Sequence, residues 1–229
     1  YRMNLDGQSL EDLSAPGDWV DSAAVADLRG ETRYAVSTRR ADSGPRVTLR
    51  SGDVVQAIAL RNETPAFTPQ VDFYELGPDH YQAGLAIPAG RGPFPVLHYV
   101  YGGPGVQLVT NDQSRLMYVE YLRRQGFAVF FADTHGTPGR GRDFERATYR
   151  DFVTQPVIEQ MQALALLRQS HPDLPLDYSR VGAFGWSFGG TLSLAMFLSS
   201  RSIRCAAPGA PVTDWLNYDT HYTERYLGI

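Results

Sequence analysis

The chain has 229 residues, 43% hydrophobic and 20% charged, with a formal net charge of -4. This is enough for one large domain, or one domain and part of another, of ordinary globular composition. The acidic balance argues against nucleic acid or anionic lipid as a partner, no apolar run approaches the ~18 to 20 residues of a membrane helix, and a single cysteine excludes an internal disulfide.

Residues 1 to 65 read as antiparallel β-structure. The segments YRMNL, VDSAAVAD, RYAVSTRR, RVTLR and VVQAIAL are separated by the turn signals DG, RGE, DSGP and SGD. Their number fits one four-stranded propeller blade with the tail of another, although a single copy does not establish a repeat. The chain opens on Tyr1 with no signal-peptide pattern, so its natural start is expected upstream.

Beyond the polar connector RNETPAFTPQ the texture changes. VDFYEL and HYQAGLAIP predict a hairpin. PVLHYVY (95–101) and FAVFFAD (127–133) are near-continuous apolar runs, as expected of parallel strands covered on both faces. SRLMYVEYLRRQG, with Leu116, Val119 and Leu122 at helical spacing, and VIEQMQALALLRQS, repeating Val157, Met161, Leu164 and Leu167, predict helices. RVGAFGW then predicts a strand, TLSLAMFLSS a helix and IRCAAPGA a strand, in which Cys205 is expected to pack as a buried, inert thiol. Strand and helix alternate from residue 66 to 229, which predicts an α/β domain.

Gly185-Trp186-Ser187-Phe188-Gly189 matches G-x-S-x-G between a predicted strand and a predicted helix. That context exposes a nucleophilic serine on a strained turn, with Ser187 as nucleophile and the Phe188 backbone N–H as an oxyanion donor. The bland alternative is a glycine-rich turn capped by a serine. The loop after the first apolar strand, YGGPG (101–105), is expected to supply a second donor, with the Tyr101 hydroxyl close by; an ordinary turn is its alternative.

A base for Ser187 is harder to find among His80, His98, His135, His171 and His221. His80 precedes the parallel strands, His98 lies inside an apolar strand and His171 sits at a helix end. His135, in THGTPGRG, either faces the site or is a loop histidine satisfied by its neighbours. The fold's chain order is serine, acid, histidine, and only 42 residues follow Ser187. Asp214, Asp219 and His221 therefore come too early, and the triad acid and histidine are expected outside this chain.

APVTDWLNYDTHYTERYLG (210–228), taken with GWSFGG and YGGPG, resembles the prolyl oligopeptidase family and, within it, the dipeptidyl peptidase IV branch. The resemblance covers essentially the whole chain. It implies the C-terminal part of a β-propeller over residues 1–65 and, over 66–229, the N-terminal part of an α/β-hydrolase domain whose C-terminal strands are missing. By resemblance, Ser187 is the nucleophile and Tyr101 and Phe188 form the oxyanion hole. Val212, Trp215, Tyr218, Tyr222 and Phe188 match an apolar slot for proline, which suits a flat pyrrolidine ring; ordinary core packing is the alternative for these aromatics.

The implied activity is release of N-terminal dipeptides with proline or alanine second, from peptides with a free N-terminus, with no cofactor and no metal. The resemblance also implies a homodimer in the full-length form, and it favours a bacterial periplasmic or secreted location, with a cytoplasmic one as the alternative. Three departures stand out: Phe188 where many relatives have tyrosine, His135 where arginine or asparagine is common, and no counterpart for the acid, the histidine or the propeller glutamates that hold the substrate amine. As a fragment the chain is expected to be inactive. Another serine hydrolase of the fold (acylaminoacyl peptidase, oligopeptidase or esterase) or an inactive hydrolase-like binding module are the competing readings.

Overall fold

Turn chemistry and strand alternation before residue 65 produce four strands: β1 (Val20–Leu28), β2 (Glu31–Thr38), β3 (Arg46–Ser51) and β4 (Val54–Ile58). In this computed structural model, which describes residues 3–10, 20–52, 54–63 and 65–228, they form one antiparallel sheet in the order β1-β2-β3-β4. Arg29 and Gly30 join β1 to β2 with φ of 56° and 78°, the paired positive values of a two-residue hairpin turn whose twist matches its strands.

Among the described residues of the first expected strand, 3–5, no strand forms. Tyr1 and Arg2 lie outside the described residues, and the rest of YRMNL is a turn closed by Gly7 N–H donating to Asn4 O at 2.9 Å. Its Asp-Gly signal folds the chain back on itself, with Asn4 N–H donating to Gln8 O at 2.9 Å.

The chain divides into two compact units, Tyr1–Pro69 with Asn111–Tyr118, and Gln70–Thr110 with Val119–Ile229. Within the first, the 111–118 segment is tied to the end of β2. Asp112 accepts from Arg39 at 2.7 Å, and the Asn111 side chain accepts from the Ala41 N–H at 2.7 Å.

The second unit holds a six-stranded mixed sheet. Its strands are β5 (Asp72–Leu76), β6 (Tyr81–Ala86), β7 (Phe94–Tyr99), β8 (Ala128–Asp133), β9 (Leu176–Trp186) and β10 (Ile203–Gly209), in the order β10-β9-β7-β8-β6-β5. β7, β8, β9 and β10 pair in parallel, as their apolar texture predicts, while the β5/β6 hairpin adds antiparallel to β8. Every residue of β8 is buried.

The helices are α1 (Gln113–Arg124), α2 (Arg142–Arg146), α3 (Thr154–Ser170), α4 (Phe188–Ser199) and α5 (Thr220–Leu227). α3 starts three residues before the expected VIEQ run, because Asp151 accepts the N–H groups of Val153, Thr154 and Gln155 and Pro156 is tolerated in a first turn. α3 and α4 contribute Val157, Ala163, Leu164, Leu167, Leu192 and Met196 to one apolar core with Val96, Phe130 and Val181 from the strands.

Cys205 is exposed, contrary to the expectation of a buried thiol. It lies on β10, an edge strand of the sheet. Among the described residues no helix is long and apolar enough to cross a membrane.

Candidate active site

The sheet order places a topological switch point between β7 and β9. The chain leaves β7 toward β8 on one side, whereas it leaves β9 toward β10 on the other. At such a switch point the loops after two adjacent parallel strands diverge, and ligands bind in the gap at their carboxyl ends. The two loops here carry Tyr101 and Ser187.

Ser187 connects β9 directly to α4 with φ 56° and ψ -119°, an unfavourable conformation for a residue with a Cβ, and such outliers cluster at functional sites. Surrounding bonds hold it: Ser187 N–H donates to Gly209 O at 2.9 Å, and Ser187 O accepts from Thr191 N–H at 3.0 Å. Phe188 is the first residue of α4, so its N–H has no intrahelical acceptor. The flanking glycines are required by contact, since a Cβ on Gly185 would lie 2.2 Å from Val100 O and one on Gly190 2.2 Å from Gly209 O.

Tyr101 follows β7, with its ring centroid 5.8 Å from that of Phe188. Burial, then the neighbouring Tyr218 and Tyr226 hydroxyls, push its pKa upward, so near neutral pH it remains a proton-bearing donor. A Cβ on Gly103 would lie 2.1 Å from the Phe188 ring; the glycine lets the two loops close on each other.

The downstream segment brings the other expected residues to this place. A short 3-10 turn (Trp215–Asn217) is capped by Asp214, which accepts from Leu216 N–H, and α5 by Asp219, which accepts from Tyr222 N–H. Trp215 stacks on Tyr222 with centroids 6.2 Å apart at 16°, and Tyr218 meets Tyr222 edge-on at 5.6 Å. Trp215 lies 6.4 Å from Phe188. Val212 is pinned to α4 by both its backbone groups, its N–H donating to Thr191 Oγ1 and its O accepting from that hydroxyl, each at 2.9 Å.

Sequence patterning misses three members of this cluster. Phe152 lies 5.3 Å from Phe188, 4.8 Å from Trp215 and 5.8 Å from Tyr222, and Tyr226 lies 4.9 Å from Tyr222. Phe152 comes from the turn before α3, where no periodicity marks it. Thr191 is unremarkable in sequence, and only the return of Val212 alongside α4 gives its hydroxyl two partners.

Among the described residues no hydrogen bond joins Ser187 to any histidine. His135 is satisfied locally, its Nδ1 2.8 Å from Glu159 Oε1 and its ring against Phe144. His98 is fully buried on Gln160, and burial lowers its pKa to about 4. His80 pairs with Glu75, His171 caps α3, and His221 is exposed on α5. No group of three or more metal-ligating side chains occurs among the described residues.

The sheet and its flanking helices make a mixed α/β fold. A solved structure from Bacteroides ovatus, assigned as a candidate dipeptidyl aminopeptidase IV, superposes on 90% of this chain and 31% of its own with a TM-score of 0.71 and 26% identity. The chain belongs to the prolyl oligopeptidase family, whose model matches residues 113–229, just over half of it. Mouse dipeptidyl peptidase 8 is 41% identical over 138 residues, 59% of this chain and 15% of that protein. An Aspergillus fumigatus protein assigned as a dipeptidyl-aminopeptidase B is 30% identical over 247 residues, 99% of this chain and 26% of that protein. The chain thus spans between 15% and 31% of the length of these relatives.

Proposed function

We propose that this chain carries the nucleophile of a serine exopeptidase that releases N-terminal dipeptides with proline, or alanine, at the second position. Residues 66–229 are read as the N-terminal part of an α/β-hydrolase domain, and residues 1–65 as the C-terminal part of a β-propeller. The observation that carries the reading is Ser187 held at positive φ at the switch point, beside Tyr101 and the aromatic cluster around Trp215 and Tyr222.

In this reading Ser187 Oγ attacks the carbonyl carbon of the second substrate residue while a histidine from outside this chain takes its proton. The developing oxyanion accepts from Phe188 N–H and the Tyr101 hydroxyl. Collapse breaks the peptide bond, the amine leaves with the proton returned by the histidine, and an ester to Ser187 remains for water to hydrolyse. Val212, Trp215, Tyr218, Tyr222 and Phe188 form the slot for the pyrrolidine ring, whose apolar faces match aromatic walls. The substrate partner is a peptide with a free N-terminus, and the enzyme works as a homodimer.

The test uses the full-length gene product. It should hydrolyse Gly-Pro-p-nitroanilide and leave the N-acetylated form intact. Equal hydrolysis of the blocked substrate would indicate an acylaminoacyl peptidase, an oligopeptidase or an esterase instead, and no hydrolysis of any ester or amide would indicate a binding module.

A further inference from the structure

Beneath the Tyr101 loop lies a buried polar bridge to which the mechanism gives no part. Gln160 on α3 is fully buried and makes three side-chain contacts. Its Nε2 donates to Ala132 O at 3.1 Å and to Thr134 Oγ1 at 3.2 Å, and its Oε1 lies 3.0 Å from His98 Nε2. Because Ala132 O only accepts, the amide orientation is determined, and His98 must carry its proton on Nε2 and donate. Burial holds His98 neutral near pH 7, so all three bonds coexist.

The bridge ties the carboxyl end of β8 to β7, three residues before Tyr101. It also touches the loop itself: a Cβ on Gly102 would lie 2.8 Å from Gln160 Nε2 and 2.8 Å from Ala132 O. On the other side Gly103 is packed as closely against the Phe188 ring. The peptide following Tyr101 is therefore gripped between a fixed amide on α3 and the first residue of α4.

We propose that Gln160 is a positioning residue, setting where the Tyr101 hydroxyl stands relative to Ser187 without touching substrate. This rests on Tyr101 being an oxyanion donor, as proposed above. A bridge that merely stabilised the fold would lower the fraction of folded enzyme; one that positions Tyr101 changes turnover per active site, and only while the hydroxyl is present.

The experiment measures kcat per titrated active site for Gly-Pro-p-nitroanilide in the full-length protein carrying Gln160→Met, Tyr101→Phe or both, with Thr134→Val as a milder break. Tyr101→Phe is expected to lower kcat about 10²- to 10³-fold, as for loss of an oxyanion donor. Gln160→Met should lower kcat roughly tenfold or more with KM changed less than about threefold, and should cost less than about threefold in the Tyr101→Phe background, since coupled residues are non-additive. If Gln160→Met fails to fold, Thr134→Val, with a smaller loss and the same dependence on Tyr101, carries the test. Equal losses in both backgrounds would overturn the positioning role while leaving Tyr101 as donor. An unchanged kcat in Tyr101→Phe would overturn the donor reading and the positioning role with it.

Discussion

A Cβ on Gly189 would lie 2.0 Å from the carbonyl oxygen of Val100. The turn that carries Ser187 is thus seated directly on the backbone at the end of β7, and the spacing of glycines around the serine records that contact. Rigid backbone on the other side cannot yield as a flexible side chain would.

Gly189→Ala should therefore be among the most damaging small substitutions in the chain. Overpacking typically costs 1–3 kcal/mol and more where nothing can move; the expected loss is about 3 kcal/mol, read as a lowered urea midpoint, with activity lost in whatever folds. A change under about 1 kcal/mol would show that α4 does not sit this close to β7.

Thr191→Val keeps shape but removes the hydroxyl that holds both backbone groups of Val212. Leaving those groups unpaired should cost about 1–3 kcal/mol. If Val212 lines the slot for the second substrate residue, KM for the Gly-Pro substrate should rise several-fold with kcat nearly unchanged, as steady-state kinetics will show. A fall in kcat at constant KM would place Val212 elsewhere in the reaction.

His98 makes a prediction about acid stability. Its folded pKa is lowered to about 4, below the ordinary value of about 6.5, so between these values the unfolded chain binds more protons. Stability from this group is present above about pH 6.5 and is lost progressively as pH falls toward 4. In His98→Leu the stability slope over that window should be shallower, even though the variant loses a partner for Gln160. Parallel slopes, measured by urea unfolding at a series of pH values, would contradict the neutral buried imidazole.

The sheet was legible where one physical demand dominates. PVLHYVY and FAVFFAD read as buried parallel strands because both faces are covered, and β8 is buried throughout. The Ser187 turn was legible because close backbone approach on each side demands glycine. What escaped depends on partners distant in sequence. Gln160 looks like one more residue of a helix until His98, Ala132 and Thr134 converge on it, and Phe152 carries no pattern of its own.

Local composition does not settle a segment's environment. IRCAAPGA is apolar enough to suggest a buried cysteine, yet Cys205 lies on an edge strand and is exposed. YRMNL has the composition of a strand, but its neighbouring Asp-Gly makes a turn that Gly7 and Asn4 close. Pairing partners and covering elements decide such cases, and neither is written in the segment itself.

The most direct test of the central claim is to treat the full-length gene product with a fluorophosphonate probe and map the modified residue by mass spectrometry alongside loss of Gly-Pro-p-nitroanilide hydrolysis. One label per chain on Ser187, rising in step with inactivation and absent from Ser187→Ala, is the predicted result. Continued dipeptide release with Ser187 labelled, or full activity in Ser187→Ala, would contradict the account.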